Sequence, residues 1–115
     1  MSSIDDIEEF LCKVRVLIAN NKFRFLKKRK KNMISLALLG LTPEDIPEII
    51  AELRYENYSS GPEDDRDREN KNCIWVFGYQ YEEYEIYIKL KITTEELLNI
   101  SFHIAEYPMK YPHKN

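Results

Sequence analysis

The sequence predicts an α+β domain with helices packed on one face of a small antiparallel sheet. Two patterns carry this expectation. Through the first half of the chain apolar residues recur every three or four positions, and through the last third they recur every second position. These are the periods of an amphipathic helix and of a strand. The helical stretches come first and the strands last, which segregates helices from sheet. At 115 residues the chain suits one domain, residues 1–115, that buries roughly two-thirds of its unfolded surface.

Ile4, Ile7, Leu11, Val14 and Ile18 form the apolar stripe of a first helix, with Ser2 or Ser3 as its N-cap and Asn20-Asn21 as its end. Phe23 and Phe25 flank Arg24 in a short strand. A second helix is expected from about Lys31 to Leu39, with Gly40 as its left-handed C-terminal residue. Thr42-Pro43-Glu44-Asp45 reads as a further helix start: a capping threonine, a first-turn proline, and acids at the positive dipole end. Ile46, Ile49, Ile50 and Leu53 make its buried stripe. A polar loop is expected from Glu56 to Asn72, then a strand over Cys73–Phe77, a turn over Gly78–Glu83, and two strands, Tyr84–Ile92 and Leu98–Ile104.

Alternation sorts the last two strands into faces. Ile86, Ile88, Leu90 and Ile92 are expected to share the core side with Leu98, Ile100, Phe102 and Ile104. The opposite face then gathers Tyr87, Lys89 and Lys91 beside Asn99, Ser101 and His103. If Thr93–Leu97 closes a symmetric hairpin, Tyr87 lies opposite His103 and Lys89 opposite Ser101.

An apolar fraction of 43% and a charged fraction of 32% belong to a globular chain. No apolar run approaches the ~20 residues that cross a bilayer, and the start of the chain lacks a secretory pattern. No membrane association and a cytoplasmic location are therefore expected. Cys12 and Cys73 lie far apart with no metal ligand at short spacing, so they read as two buried thiols rather than a zinc site. The net charge of −3 conceals a segregated distribution: seven of the ten residues from Lys22 to Lys31 are basic, whereas Glu44–Glu69 holds ten acids against three arginines. Local potential, not net charge, then decides what binds.

The Lys22–Lys31 stretch, with Phe23 and Phe25 interleaved, suits a polyphosphate backbone. Arg24, Lys27, Lys28, Arg29, Lys30 and Lys31 are its candidate contacts with RNA. The segment Glu106-Tyr107-Pro108-Met109-Lys110-Tyr111-Pro112 is expected to pack across the domain and bring Lys110 or Tyr111 near the end of the His103 strand. His103 is the one histidine in a predicted strand, and an imidazole titrates near pH ~6.5, where it can take or give a proton. A lone histidine on the wet side of a strand is otherwise an ordinary surface residue; the shared face with Tyr87 and Lys89 sets it apart. A phenol beside it can donate a proton, and an ammonium can stabilise a developing phosphorane. Three glycines leave no room for a phosphate-cradling glycine loop, and no serine or cysteine nucleophile has an evident histidine partner. The run Glu63-Asp64-Asp65-Arg66-Asp67 fits no calcium-loop spacing and reads as a solvated loop. No cofactor and no metal are expected.

The order of motifs resembles the MqsR family of toxins from bacterial toxin–antitoxin pairs. The resemblance rests on Leu39-Gly40-Leu41-Thr42, Asp45-Ile46, Glu48-Ile49-Ile50, Ile74-Trp75, Ile86 through Ile92 and Ile100-Ser101-Phe102, and it runs from about Ile7 to Pro112. It implies a RelE-like α+β fold and an endoribonuclease that cuts mRNA without the ribosome and is held inactive by a cognate antitoxin. The family's active-site tyrosine falls on Tyr87, and its lysine after the Ser-Phe pair falls on His103. Its loop lysine aligns near Ser59 and its glutamine after the tryptophan aligns with Val76, so two polar groups are replaced here. Lys89, Arg29 and Lys110 are candidates for the missing positive charge. The expected function is a metal-independent endoribonuclease with His103 as acid or base, Tyr87 as proton donor or phosphate ligand, and Lys89 as charge stabiliser. The alternatives are a ribosome-dependent RelE-like nuclease, or a non-catalytic module that binds RNA or protein with a steep salt dependence.

Overall fold

The structure is a computed structural model that describes residues 1–65 and 70–114, without the side chains of residues 70–72. Helix α1 spans Ile4–Ala19, and its first turn is closed by Ser3, whose Oγ accepts from the Asp6 amide at 3.1 Å. The short strand β1 is Phe23–Phe25, and α2 spans Lys30–Leu39 and ends on left-handed Gly40. A single 3₁₀ turn, Pro43–Asp45, leads into α3, Ile46–Ala51. The Thr42 amide donates to Asp45 Oδ2 at 2.8 Å, as its capping pattern requires. The strands β2 (Tyr58–Asp65), β3 (Asn70–Tyr81), β4 (Tyr84–Ile92) and β5 (Leu97–Ile104) complete the chain.

The five strands form one sheet in the order β1-β5-β4-β3-β2. β1 pairs with β5 in parallel and the remaining pairs are antiparallel, so the sheet is mixed where an antiparallel one was expected. The α+β class stands. Most of the segment expected as a loop is strand: β2 occupies Tyr58–Asp65, and β3 begins at Asn70. The expected turn over Gly78–Glu83 shrinks to Glu82-Glu83, with Glu82 left-handed. β2 hides its period because three register shifts interrupt its pairing with β3. It is an edge strand, the place where a proline such as Pro62 is tolerated. Gly61 sits there at φ +117°, and a Cβ would come within 2.5 Å of the Ile74 carbonyl oxygen, so only glycine fits. Of the acidic run, Asp65 forms a nearly buried ion pair with Lys91 at 2.7 Å; Arg66 and Asp67 lie outside the described residues.

One sheet face carries the main core. Ile7, Leu11 and Val14 of α1, Leu36 of α2 and Ile46 and Ile50 of α3 pack against Phe77, Ile86, Ile88, Leu90, Leu97 and Phe102. Phe10 also turns inward and stacks on Trp75 at 4.3 Å, whereas Ile4 is exposed. Both cysteines are thiols, but Cys12 is exposed and Cys73 half-buried, not the buried pair expected. Cys12 falls on the outer side of α1, away from the stripe.

The β4–β5 hairpin departs from simple alternation. Ile92 pairs with Leu97 and Leu90 with Asn99, yet Lys89 pairs with Ser101, so Ile100 is an extra residue at a bulge. The phase therefore flips below the bulge. Asn99 is fully buried rather than set beside His103, and Leu98 and Ile100 join Ile74 and Val76 in a second apolar cluster on the outer face. Asn99 Nδ2 donates to the Lys89 and Ser101 carbonyls at 3.1 and 2.8 Å, which ties the bulge together.

Beyond β1, the free edge of β5 is covered by α2. Asn32 is completely buried; its Nδ2 donates to the Leu26 and Ile100 carbonyls at 3.1 and 3.0 Å, and its Oδ1 accepts from the Phe102 amide at 2.9 Å. Ser35 Oγ accepts from the Ile104 amide at 2.9 Å. Two helix side chains thus stand in for a neighbouring strand.

Candidate functional site

The outer face of the sheet forms the floor of a groove of about 920 Å³. β4 contributes Tyr87 and Lys89, and β5 contributes Ser101 and His103. Tyr87 lies directly across from His103 and Lys89 across from Ser101, the pairing expected from the sequence. The two rings stack with centroids 5.1 Å apart and planes at 14°. One wall is the start of α2 with Arg29, Lys30 and Lys31; another is the segment from Ala105 to Lys110. Ser59 and Val76, which stand where the resemblance places a lysine and a glutamine, line the same groove. All four positions singled out by that resemblance therefore converge.

Of the other candidates, Arg24 lies outside the groove lining and is held by Glu96, with guanidinium nitrogens at 2.7 and 3.0 Å. Lys27 and Lys28 are exposed but do not line the groove. Tyr111 does not line it either: its hydroxyl donates to Glu85 Oε2 at 2.7 Å. Its ring and hydroxyl fill the space above Gly78, where a Cβ would collide with the hydroxyl and come within 2.6 Å of the ring. Lys91 faces outward but is engaged by Asp65. Sequence reasoning missed Glu63, Glu106 and Tyr107 as groove residues. The signal for Glu63 was hidden with β2; Glu106 and Tyr107 stood in a segment whose path no periodicity fixes.

The electrostatics favour an anion. α2 has no acid in its first turn and Arg29, its N-cap, makes no side-chain capping bond. Basic side chains at the positive end of a helix repel it, and a bound anion relieves both. Lys31 is engaged by Glu106 at 2.6 Å, an ion pair that holds the Glu106 carboxyl below its ordinary range. Burial pushes the Tyr87 phenol up; nearby Glu63 adds to the rise and Arg29 opposes it. Burial likewise raises Tyr79 and Tyr111, assisted by their bonds to Glu52 and Glu85. Among the described residues no three His, Cys, Asp or Glu side chains converge as a metal-ligand set.

Those three raised phenols have a measurable consequence. The folded chain holds their protons more tightly than the unfolded chain does. Their contribution to stability is full below the ordinary phenol value of 10.0 and is lost as pH rises from there through their raised values in the folded chain. In a phenolate-absorbance titration of the folded protein, Tyr79, Tyr87 and Tyr111 should hold their protons above that value, and denaturant should remove this late-titrating fraction. A folded protein whose phenolate absorbance is complete within the ordinary range would contradict the burial argument.

Sheet, helices and groove define a small α+β protein whose outer sheet face carries a basic cleft around a stacked phenol and imidazole. The family model described as motility quorum-sensing regulator, toxin of MqsA, matches residues 9–104, and the chain belongs to that family. It is thus the toxin of a toxin–antitoxin pair, with an antitoxin as its partner. A search of curated proteins finds no match. No helix among the described residues is long and apolar enough to cross a membrane.

Proposed function

We propose that this toxin is an endoribonuclease that cuts mRNA in the groove, without metal or ribosome, using its own side chains for proton transfer. The observation that carries the reading is the Tyr87–His103 stack beside Lys89 on the floor of a basic groove. His103 Nδ1 lies 2.9 Å from the Ile104 carbonyl oxygen. A carbonyl only accepts, so Nδ1 carries the proton and the neutral ring keeps its lone pair on Nε2. Nε2 then takes the proton of a ribose 2′-hydroxyl, and the 2′-oxygen attacks the adjacent phosphorus. Lys89 stabilises the charge gathering on the phosphorane oxygens. The bond from phosphorus to the 5′-oxygen breaks, and Tyr87, kept protonated by burial, donates to the departing oxygen. The products are a 2′,3′-cyclic phosphate and a 5′-hydroxyl; water returns the Tyr87 proton and accepts the one on His103. Arg29, Lys30, Lys31 and Lys110 on the walls hold the flanking phosphates.

The test is incubation of purified chain with a defined single-stranded RNA, with EDTA and without ribosomes. Expected are products bearing 2′,3′-cyclic phosphate, and no cleavage where the nucleotide preceding the scissile phosphate is 2′-deoxy. Cleavage at a 2′-deoxy position would overturn the mechanism. Intact RNA would overturn ribosome-independent cleavage, and growth arrest on expression would then point to a ribosome-dependent nuclease rather than a passive binder.

A further inference from the structure

Residues 105–114 lie beyond the stretch that the family model matches, yet Ala105 to Lys110 of this segment build a wall of the groove. The segment is fastened at closely spaced points. The Ala105 amide donates to the Glu85 carbonyl at 2.8 Å, and Glu106 pairs with Lys31 at 2.6 Å. The Met109 amide donates to Glu85 Oε1 at 3.1 Å, and the Tyr111 hydroxyl donates to Oε2 of the same carboxylate at 2.7 Å. Met109 also packs into the outer-face cluster of Ile74, Val76 and Ile100. One residue, Glu85, therefore grips the segment through three oxygens.

Between these fastenings the chain lifts Tyr107 into solvent. Tyr107 lines the groove and is 80% exposed; within the described residues it is the one aromatic among the large apolar residues that face water. Pro108 follows it and fixes its own φ. An aromatic ring on a backbone already pinned on both sides loses little conformational freedom when something stacks on it. Free bases of a single strand are the ligands such a ring serves, since every base offers a π-face. The Arg29–Lys31 wall supplies the charge that a neighbouring phosphate needs.

We propose that Tyr107 is a base-stacking subsite, which receives an unpaired nucleobase of single-stranded RNA beside the Tyr87–His103 centre. This rests on the reading of the groove as an RNA site, and it assigns to the segment beyond the family match a role in choosing unstructured substrate. A duplex keeps its bases stacked inside and cannot present one to the ring.

The experiment uses the full chain and a single-stranded 2′-O-methyl RNA carrying 2-aminopurine, which offers no 2′-hydroxyl and stays intact. Binding should quench the 2-aminopurine fluorescence. Tyr107→Ala should remove the quench and weaken binding roughly tenfold or more, whereas Tyr107→Phe and Tyr107→Trp keep both. The melting temperature should stay level, because the ring covers no core. Unchanged binding and quench in Tyr107→Ala would overturn the subsite, also where that variant instead weakens capture of a protein partner. An equal loss in Tyr107→Phe would assign the hydroxyl, not the ring, and overturn stacking. Failure of cleavage by the unaltered chain would sink the nuclease reading alone, because this readout needs no reaction.

Discussion

His103→Ala should lower the RNA cleavage rate by roughly 10²–10⁴-fold, the usual worth of one positioned proton-transfer group, while the fold survives. The side chain is half-buried and lines the groove on the outer face of the sheet, on the side away from the helix-packed core, so truncation should leave the helix-side packing alone. What disappears is the lone pair on Nε2 and the ring that stacks on Tyr87 at 5.1 Å. RNA binding should change far less than turnover, because the phosphate contacts proposed for Arg29, Lys30, Lys31 and Lys110 on the groove walls remain. His103→Lys is the informative companion. A lysine is what the family resemblance places here, and it supplies a positive charge without a ring nitrogen that can accept a proton. Partial recovery by lysine would mean that charge stabilisation outweighs base catalysis at this position. Full cleavage by His103→Ala would remove the imidazole from the mechanism altogether. The measurement is single-turnover cleavage, with circular dichroism and melting temperature as the control for folding.

That Tyr87 faces His103 was legible in the sequence, but through two departures that cancel. The hairpin was expected to turn over five residues with uninterrupted alternation. The observed turn is one residue shorter, because Leu97 enters the strand opposite Ile92. The bulge at Ile100 then restores the lost residue, so Lys89–Ser101 and Tyr87–His103 fall where the longer turn would have put them. Only the stretch between turn and bulge was assigned to the wrong faces. Leu97-Leu98 explains the ambiguity: either leucine satisfies a buried position, so alternation alone cannot choose the register. Leu97 takes the core side at 0% exposure, and Asn99 follows it inward and ties the bulge with its amide.

β2 was illegible for a different reason. Its pairing with β3 slips three times, and its residues include glycine, proline and consecutive acids, all poor strand formers. What holds it is not its own propensity but its neighbours. β3 offers a long edge, Tyr58 buries completely against Trp75 and Phe77, and Asp65 reaches Lys91 across the sheet. Helix α1, by contrast, announces itself locally through its cap and stripe and lies where the sequence puts it, whereas the cap and proline at Thr42-Pro43 open a 3₁₀ turn and α3 itself runs only from Ile46 to Ala51, ending before Leu53. The basic run from Lys22 to Lys31 was visible as charge alone. Only the fold separates Arg29, Lys30 and Lys31, which reach the groove, from Arg24, which Glu96 neutralises.

The largest expected loss of stability is at Asn32. Asn32→Ala removes both donors and the acceptor that close the edge of β5, and leaves the Ile100 carbonyl and the Phe102 amide buried without them, while the half-buried Leu26 carbonyl keeps the Arg29 amide at 3.4 Å. Each of the two stranded groups costs about 1–3 kcal/mol, the carbonyl toward the lower end since it has a second lone pair. The sum, about 2–4 kcal/mol, is a large share of the ~5–15 kcal/mol that holds a domain together. Asn32→Leu is the companion variant: it keeps the branched outline with bulkier methyl groups and removes the hydrogen bonds, so the loss carries no cavity term. In urea the midpoint should fall strongly for both variants with an unchanged slope. The same loss should reach the groove. Phe102 and Ile104 flank His103, and both of their amides are held by α2, one by Asn32 and one by Ser35. A loosened edge lets His103 drift from Tyr87, so cleavage should fall even well below the melting temperature. A midpoint for Asn32→Leu equal to that of the unaltered chain would mean that β5 does not need this clamp. In that case the packing of Phe102 and Leu97 in the core, and not the helix side chains, would be what fixes β5.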